Sequence, residues 1–193
     1  MRSLTLTILA AANLALVALP AIAAPAAPAA WSVDKATSKL GFTGAMNGQA
    51  FNGGFGRWDA QIAFDPNNLP ASHVTATIDM ASAKTGDQTR DEALPTDDWL
   101  AVKAFPKATF TSSKITAAGP GRYVAQGNLT IRNVTRPVSL PFNLAITGDT
   151  AKMSGSLPLD RSVFGVGQGQ FKAGDTVALK VQVNVAITAK RAH

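Results

Sequence analysis

The stretch Thr176-Val177-Ala178-Leu179-Lys180-Val181-Gln182-Val183-Asn184-Val185-Ala186-Ile187-Thr188 sets Val177, Leu179, Val181, Val183, Val185 and Ile187 at its odd positions, with Lys180, Gln182 and Asn184 among the even ones. A period of two is that of a β-strand with one apolar and one wet face. At about 3.3 Å per residue this strand would reach roughly 40 Å, well beyond the usual run of about 5 to 6 residues. Such strands suit a barrel or a large curved sheet. What the apolar face meets then decides the function: core side chains, a bound lipid or a bilayer.

The same alternation recurs outward from this stretch. Ser38 to Met46 puts Leu40, Phe42 and Met46 on one face, ahead of a polar, glycine-rich turn predicted from Asn47 to Gly54. Phe55 to Phe64 sets Trp58, Ala60, Ile62 and Phe64 against Arg57, Asp59 and Gln61, and Asp65-Pro66-Asn67-Asn68 ends it with turn chemistry. His73 to Met80 carries Val74, Ala76, Ile78 and Met80. Further strands are predicted over Ala108 to Ser112, Arg122 to Arg132, Arg136 to Thr147, Ala151 to Leu159 and Thr176 to Ala189. The turns between them are Gly119-Pro120-Gly121, Asn133-Val134 and Gly148-Asp149. One helical region is predicted, from Gly86 to Ala101, with Asp87 capping a short turn that ends before Pro95 and Thr96 capping a second that holds Trp99 and Leu100. Strands do not alternate with long helices, which argues against a parallel α/β fold. The pattern specifies an all-β chain, an extended eight-stranded antiparallel barrel with a short helical insertion around 86–101. Closure removes the edges that long strands would otherwise expose. About eight strands enclose room for packed side chains or one elongated ligand.

Arg2 precedes an uncharged, leucine-rich run from Leu4 to Leu19, and Pro20-Ala21-Ile22-Ala23 supplies the small residues of a leader cleavage site. Residues 1–23 read as a secretory signal peptide that directs the protein to the periplasm. A membrane anchor is the weaker reading, because the run is short for a span of about 20 residues and no basic residues follow it. Residues 24–30 form an Ala/Pro lead, and 31–190 form one domain. The chain has no Cys, so neither disulfides nor thiolate chemistry contribute. Its formal charge of +6 drops by one when Arg2 leaves with the leader. The Lys and Arg residues are scattered without a basic helix or an aromatic platform, which argues against nucleic acid as a partner. A modest positive excess favours anionic membrane surfaces.

Catalytic parts are hard to find. His73 is the one imidazole that a fold would fix, since His193 ends the chain, and a lone His does not make a zinc site. Ser154-Gly155-Ser156 has no evident base and no Gly-x-Ser-x-Gly elbow exists. Gly165, Gly167 and Gly169 alternate after Phe164 but lack the Lys and helix of a phosphate loop, and read instead as a bend or a close backbone approach. Asp97-Asp98 and Arg90-Asp91-Glu92 read as helix caps and charge pairs. The sequence therefore supplies no catalytic residues, no metal ligands and no cofactor.

A set of short motifs stands in a telling order: Trp31-Ser32-Val33-Asp34 with Ser38 and Phe42, Gly54-Phe55, Thr85 with Arg90-Asp91, and Trp99 followed by Phe105-Pro106 and Phe110. Gly127-Asn128-Leu129-Thr130-Ile131, Thr135-Arg136-Pro137-Val138 and Leu159-Asp160-Arg161 with Phe164-Gly165 complete it. In these residues the chain resembles the YceI-like family of bacterial secreted lipid-binding or polyisoprenoid-binding proteins, over Trp31 to Ala189. The resemblance implies a lipocalin-like barrel whose interior holds a polyisoprenoid or another long amphiphile, for non-catalytic transport, storage or stress protection. Trp58-Asp59-Ala60 and Thr85-Gly86-Asp87 are similar to members associated with b-type cytochromes, which implies an isoprenoid quinone as ligand and transient contact with a membrane or such a cytochrome. The tunnel wall is then expected at Phe42, Trp58, Ile62, Ile78, Phe110, Leu140, Phe142, Val181 and Val183. Arg90, Asp91, Trp99 and Arg161 are expected at the mouth, against a headgroup. The protein would be a monomer or a homodimer. Three other readings stay open: a small outer-membrane barrel with its apolar faces turned to lipid, an enzyme acting on an isoprenoid or lipid, and a partner-binding module.

Overall fold

The computed structural model describes residues 27–192, so the predicted signal peptide and the first part of the Ala/Pro lead lie outside the described residues. The strands are β1 (Ala30–Val33), β2 (Lys39–Met46), β3 (Gln49–Phe55), β4 (Trp58–Ala63), β5 (His73–Asp79), β6 (Ala83–Lys84), β7 (Lys107–Gly119), β8 (Arg122–Ile131), β9 (Val134–Thr147), β10 (Thr150–Asp160) and β11 (Lys180–Arg191), with one helix, α1 (Gln88–Ala93). Antiparallel pairing runs β1-β4-β5-β7-β8-β9-β10-β11 and returns to β1 through Trp31 opposite Arg191 and Val33 opposite Ala189. This is the closed eight-stranded barrel that the alternation predicts. The β2–β3 hairpin and β6 extend the sheet from the first half of β11, where Phe42 stands opposite Val183.

Four local expectations need correction. Residues 47–54 are not one turn. Only Asn47 and Gly48, at φ 50° and 76°, reverse the chain, and the rest is β3. Glycines on both strands of this hairpin make room for rings on the facing one, since a Cβ on Gly53 of β3 would come within 2.3 Å of the Phe42 ring and one on Gly44 of β2 within 2.8 Å of Phe51. The expected final strand begins at Lys180 and not at Thr176. Val177 instead bridges Met46, and the carbonyls of Val177 and Ala178 are claimed by Arg161. Thr96 does not cap, because its hydroxyl donates to the Ala93 carbonyl, whereas Asp87 accepts from the Arg90 N–H at 3.0 Å as a cap should. Finally, β7 does not stop at Ser112 but runs on to Gly119, and register shifts at Ser112/Lys114 and Ala117/Gly119 blur the alternation along that extension.

The apolar faces turn inward and the polar ones outward. On the outer surface Asn184 donates to Thr43, Thr43 to Asn52, and Ser156 to Asn184. This polarity is the reverse of that in a transmembrane barrel. Two buried clusters close the interior. One packs Trp31, Phe64, Ile115, Ala125, Ala151 and Ala189, with the Trp31 Nε1–H donating to the Phe64 carbonyl at 3.0 Å. The other packs Ile78, Met80, Ala83, Leu100 and Ala108 under the segment that contains α1. Each large side chain so buried contributes about 1.5–3 kcal/mol.

Candidate ligand cavity

Between the two clusters lies a cavity of about 240 Å³ whose lining residues are all apolar. On β10 the lining runs from Ala151 to Leu159, roughly 27 Å at about 3.4 Å per residue. Among the sequence-predicted wall residues, Trp58, Ile62, Ile78, Phe110, Leu140, Phe142 and Val183 line this space. Phe42 and Val181 do not. Phe42 lies over Gly53 with its ring centre 5.5 Å from that of Phe55, and Val181 stands opposite Leu159 at the far end of β11. Sequence reasoning passed over Met153, Leu157 and Leu159, although the same period of two marks them on β10. The expected wall also left out Ala60 and Ala76, which the alternation sets on the apolar faces of their strands and whose small side chains leave the lumen open.

A lumen without a polar side chain cannot desolvate a charged or strongly hydrogen-bonding group without loss. It can take hydrocarbon. An isoprene unit of five carbons gains roughly 4 kcal/mol gross on burial at about 0.8 kcal/mol per carbon.

None of the four expected mouth residues lines the cavity. Asp91 is bound within its own segment, accepting from the backbone N–H of Thr85 at 2.6 Å and from its hydroxyl at 2.9 Å. Arg90 lies over the Phe51 ring at 4.8 Å and donates through Nε to Thr85. Trp99 is stacked obliquely on Phe171, with ring centres 5.0 Å apart, and its carbonyl accepts from Arg132 at 2.7 Å. Arg161 is only 4% exposed and sends all five N–H donors to backbone carbonyls: Ala178, Val166, Gly167, Phe171 and Val177. Its guanidinium, 5.2 Å from the Trp99 ring, has no donor left for a headgroup. Burial lowers its pKa, against the raising effect of Asp160. The alternating glycines follow from this packing. Gly167, at φ 80°, touches the guanidinium so closely that a Cβ would fall 1.9 Å from Nη1.

The barrel wall is interrupted where β1 and β2 part from β4. Pairing stops at Trp31 opposite Ile62 and resumes at Gly41 opposite Gly54 on β3. Lys35 bridges this seam, donating to the Trp58 carbonyl at 2.6 Å, pairing with Asp59 at 3.0 Å and lying 3.8 Å from the Trp58 ring centre.

Four carboxylates are held below their ordinary range: Asp59 by its hydrogen bond from Lys35, Asp79 by that from Arg57, Asp91 by the Thr85 backbone N–H and Asp160 by the Ser162 hydroxyl. The unfolded chain then binds more protons than the native one between the folded and unfolded pKa values, so stability rises with pH there. The contribution is complete above the unfolded value and is lost as pH falls through the folded one. The expected melting temperature is flat from neutrality to about pH 5 and falls below about pH 4, and Asp91→Asn lowers the neutral plateau and shallows the fall. A melting temperature that climbs on acidification through this window would contradict the assignment.

A closed eight-stranded antiparallel barrel around an elongated apolar lumen has room for one elongated hydrophobic molecule. The YceI-like domain model matches residues 31–189, and the chain belongs to that family. A UPF0312 protein of Pseudomonas aeruginosa is 34% identical over 137 residues, covering 68% of this chain and 71% of that one. The chain spans about half the length of some other curated relatives that it matches. Among solved structures, Burkholderia cenocepacia BcnA superposes with a TM-score of 0.80 at 35% identity, over 82% of this chain and 100% of that one. A Saccharophagus degradans domain, described as a polyisoprenoid binding domain implicated in plant cell wall breakdown, shares the fold with a TM-score of 0.68 at 14% identity, over 85% of this chain and 99% of that one.

Proposed function

We propose that this protein is a non-catalytic carrier that binds, stores or transports a polyisoprenoid or another long-chain amphiphile in the periplasm, with an isoprenoid quinone as a candidate cargo and a role under stress. The observation that carries this reading is the elongated cavity lined by apolar side chains alone. Family membership and the fold shared with a polyisoprenoid binding domain support it. The lining admits a hydrocarbon tail of any regular chemistry and leaves a polar head outside. Eight isoprene units would exceed the practical affinity ceiling near about 20 kcal/mol if all their gross gain counted. Ordering the tail must therefore offset much of it. The quinone and a b-type cytochrome contact rest on motif similarity around Trp58 and Thr85, and periplasmic placement rests on the leader pattern.

Native mass spectrometry of the gently purified mature chain, followed by solvent extraction, tests this function. A co-purifying long-chain amphiphile, displaceable by added isoprenoid, is the expected result. A protein that carries no such molecule and takes up none on addition would not be a carrier.

A further inference from the structure

The hairpin of β9 and β10 stops pairing half-way. Its ladder runs from Thr147 opposite Thr150 to Phe142 opposite Gly155 and then ends, although β9 stays paired with β8 down to Val134 and β10 with β11 down to Asp160. The sequence explains the break. Leu144 directs its N–H to the Gly121 carbonyl on the β8 side, so odd-numbered β9 residues turn theirs toward β10. Continuing the register would set Pro141 opposite Ser156, Ser139 opposite Pro158 and Pro137 opposite Asp160. Each of these three pairs contains one proline, which has no N–H to give. The ladder therefore ends, and among the described residues no side-chain hydrogen bond or ion pair spans the two strands there as Lys35 spans the other seam.

The edges of this gap are cavity walls. Leu140 on β9 and Leu157 and Leu159 on β10 all line the lumen. The turn over Arg161–Phe164 lies against β9 below the gap and carries Val163, 43% exposed, the one large apolar side chain exposed among the described residues. Arg136 occupies the rim. It stands opposite Leu129, a lining residue, and on the same strand face as Leu140, yet it is exposed. Among the described residues it forms no ion pair, and its hydrogen bond is a 3.5 Å contact with the neighbouring Thr135 carbonyl.

We infer that the proline-bounded gap between β9 and β10 is the mouth of the cavity, and that Arg136 at its rim binds the anionic head of the amphiphile whose tail fills the lumen. This rests on the carrier reading and adds a headgroup class to it, one that favours an anionic amphiphile over the uncharged quinone as cargo. The guanidinium fork matches the oxygens of a phosphate or a carboxylate. The apolar lining holds nothing that could receive such a head inside, so the head stays at the rim.

The test follows tryptophan emission during titration of the mature chain with farnesyl phosphate, palmitate and the uncharged farnesol. Arg136→Gln is expected to weaken an anionic probe about tenfold, less at high salt, and to leave farnesol within about twofold. Arg122→Gln, a charge change on an exposed residue at the start of β8, should alter none of them. A loss confined to farnesyl phosphate assigns a phosphate head, one confined to palmitate a carboxylate. Unchanged anionic affinity, or an equal loss of farnesol, overturns the role of Arg136. If farnesol fails to bind the unaltered chain, the carrier reading itself falls. Replacing Pro137, Pro141 and Pro158 by Val restores the missing donors. The expected result is newly protected amides at these positions and at least tenfold slower farnesol uptake. Protected amides with an unchanged rate place the mouth elsewhere, and amides left unprotected remove the prolines as its cause.

Discussion

Arg161→Ala is expected to cost about 3–5 kcal/mol of stability, the range for removing one partner of a buried charged network. The side chain is 4% exposed and its five donors hold the carbonyls of Val166, Gly167, Phe171, Val177 and Ala178. Truncation leaves those acceptors facing one another with no donor, at about 1–3 kcal/mol for each that stays buried. Part of that cost would be relieved as the loop swells and admits water. For a domain of this size the melting temperature should fall by roughly 10–15 °C. Lysine restores the charge but has three donors on a point, not five on a planar fork, so Arg161→Lys should recover less than half of the loss. Gly167→Ala should imitate the defect from the other side, because its Cβ would displace the guanidinium. Amide exchange should rise first between residues 165 and 178 while the barrel strands stay protected. A melting temperature unchanged within about 2 °C would show that the loop holds without its arginine.

The same residue shows where sequence reasoning stops. Leu159-Asp160-Arg161 reads equally well as a headgroup site and as internal structure, because an arginine declares its charge and not its partners. Its partners here are main-chain carbonyls up to 17 residues away, and these leave no trace in side-chain composition. The barrel itself was legible because alternation is a property of consecutive residues. Val183, Val185 and Ile187 face inward for the reason that made them stand out, and Trp58, Ile62 and Ile78 join them by the same rule. The rule fails where packing across strands decides. Gly53 looks like a turn residue until the Phe42 ring is seen to lie over it. The prolines of β9 and β10 were visible one by one, but their meaning depends on register, which pairs each with a residue of the opposite strand. Arg136 stood in a recognised motif with no role attached, and a place beside the lumen gives it one.

Ala76→Phe is expected to abolish most ligand affinity while leaving the fold intact. Ala76 lines the cavity on β5, between Ala60 on β4 and Phe110 on β7, in a row where small side chains keep the lumen wide. A phenyl ring there projects into space that is already enclosed, so it gains burial without opening the wall, and the melting temperature should hold or rise. For a ligand the same ring takes the volume of about one isoprene unit, worth roughly 4 kcal/mol gross. After the ordering cost that the shortened tail no longer bears, the net loss is about 2–3 kcal/mol, or roughly 30- to 150-fold in Kd for farnesol. Thr77→Val, one residue along and on the outer face, should leave affinity unchanged. Farnesol and farnesyl phosphate should suffer alike, because the ring obstructs the tail and not the head. That equality separates the two determinants: a lumen substitution moves every probe together, whereas one at Arg136 moves only those with a charge. If Ala76→Phe leaves binding unaltered and lowers the melting temperature, the ring has pushed the wall outward and the tail lies elsewhere. A closed barrel resists that displacement, since moving β5 would break its ladders with both β4 and β7.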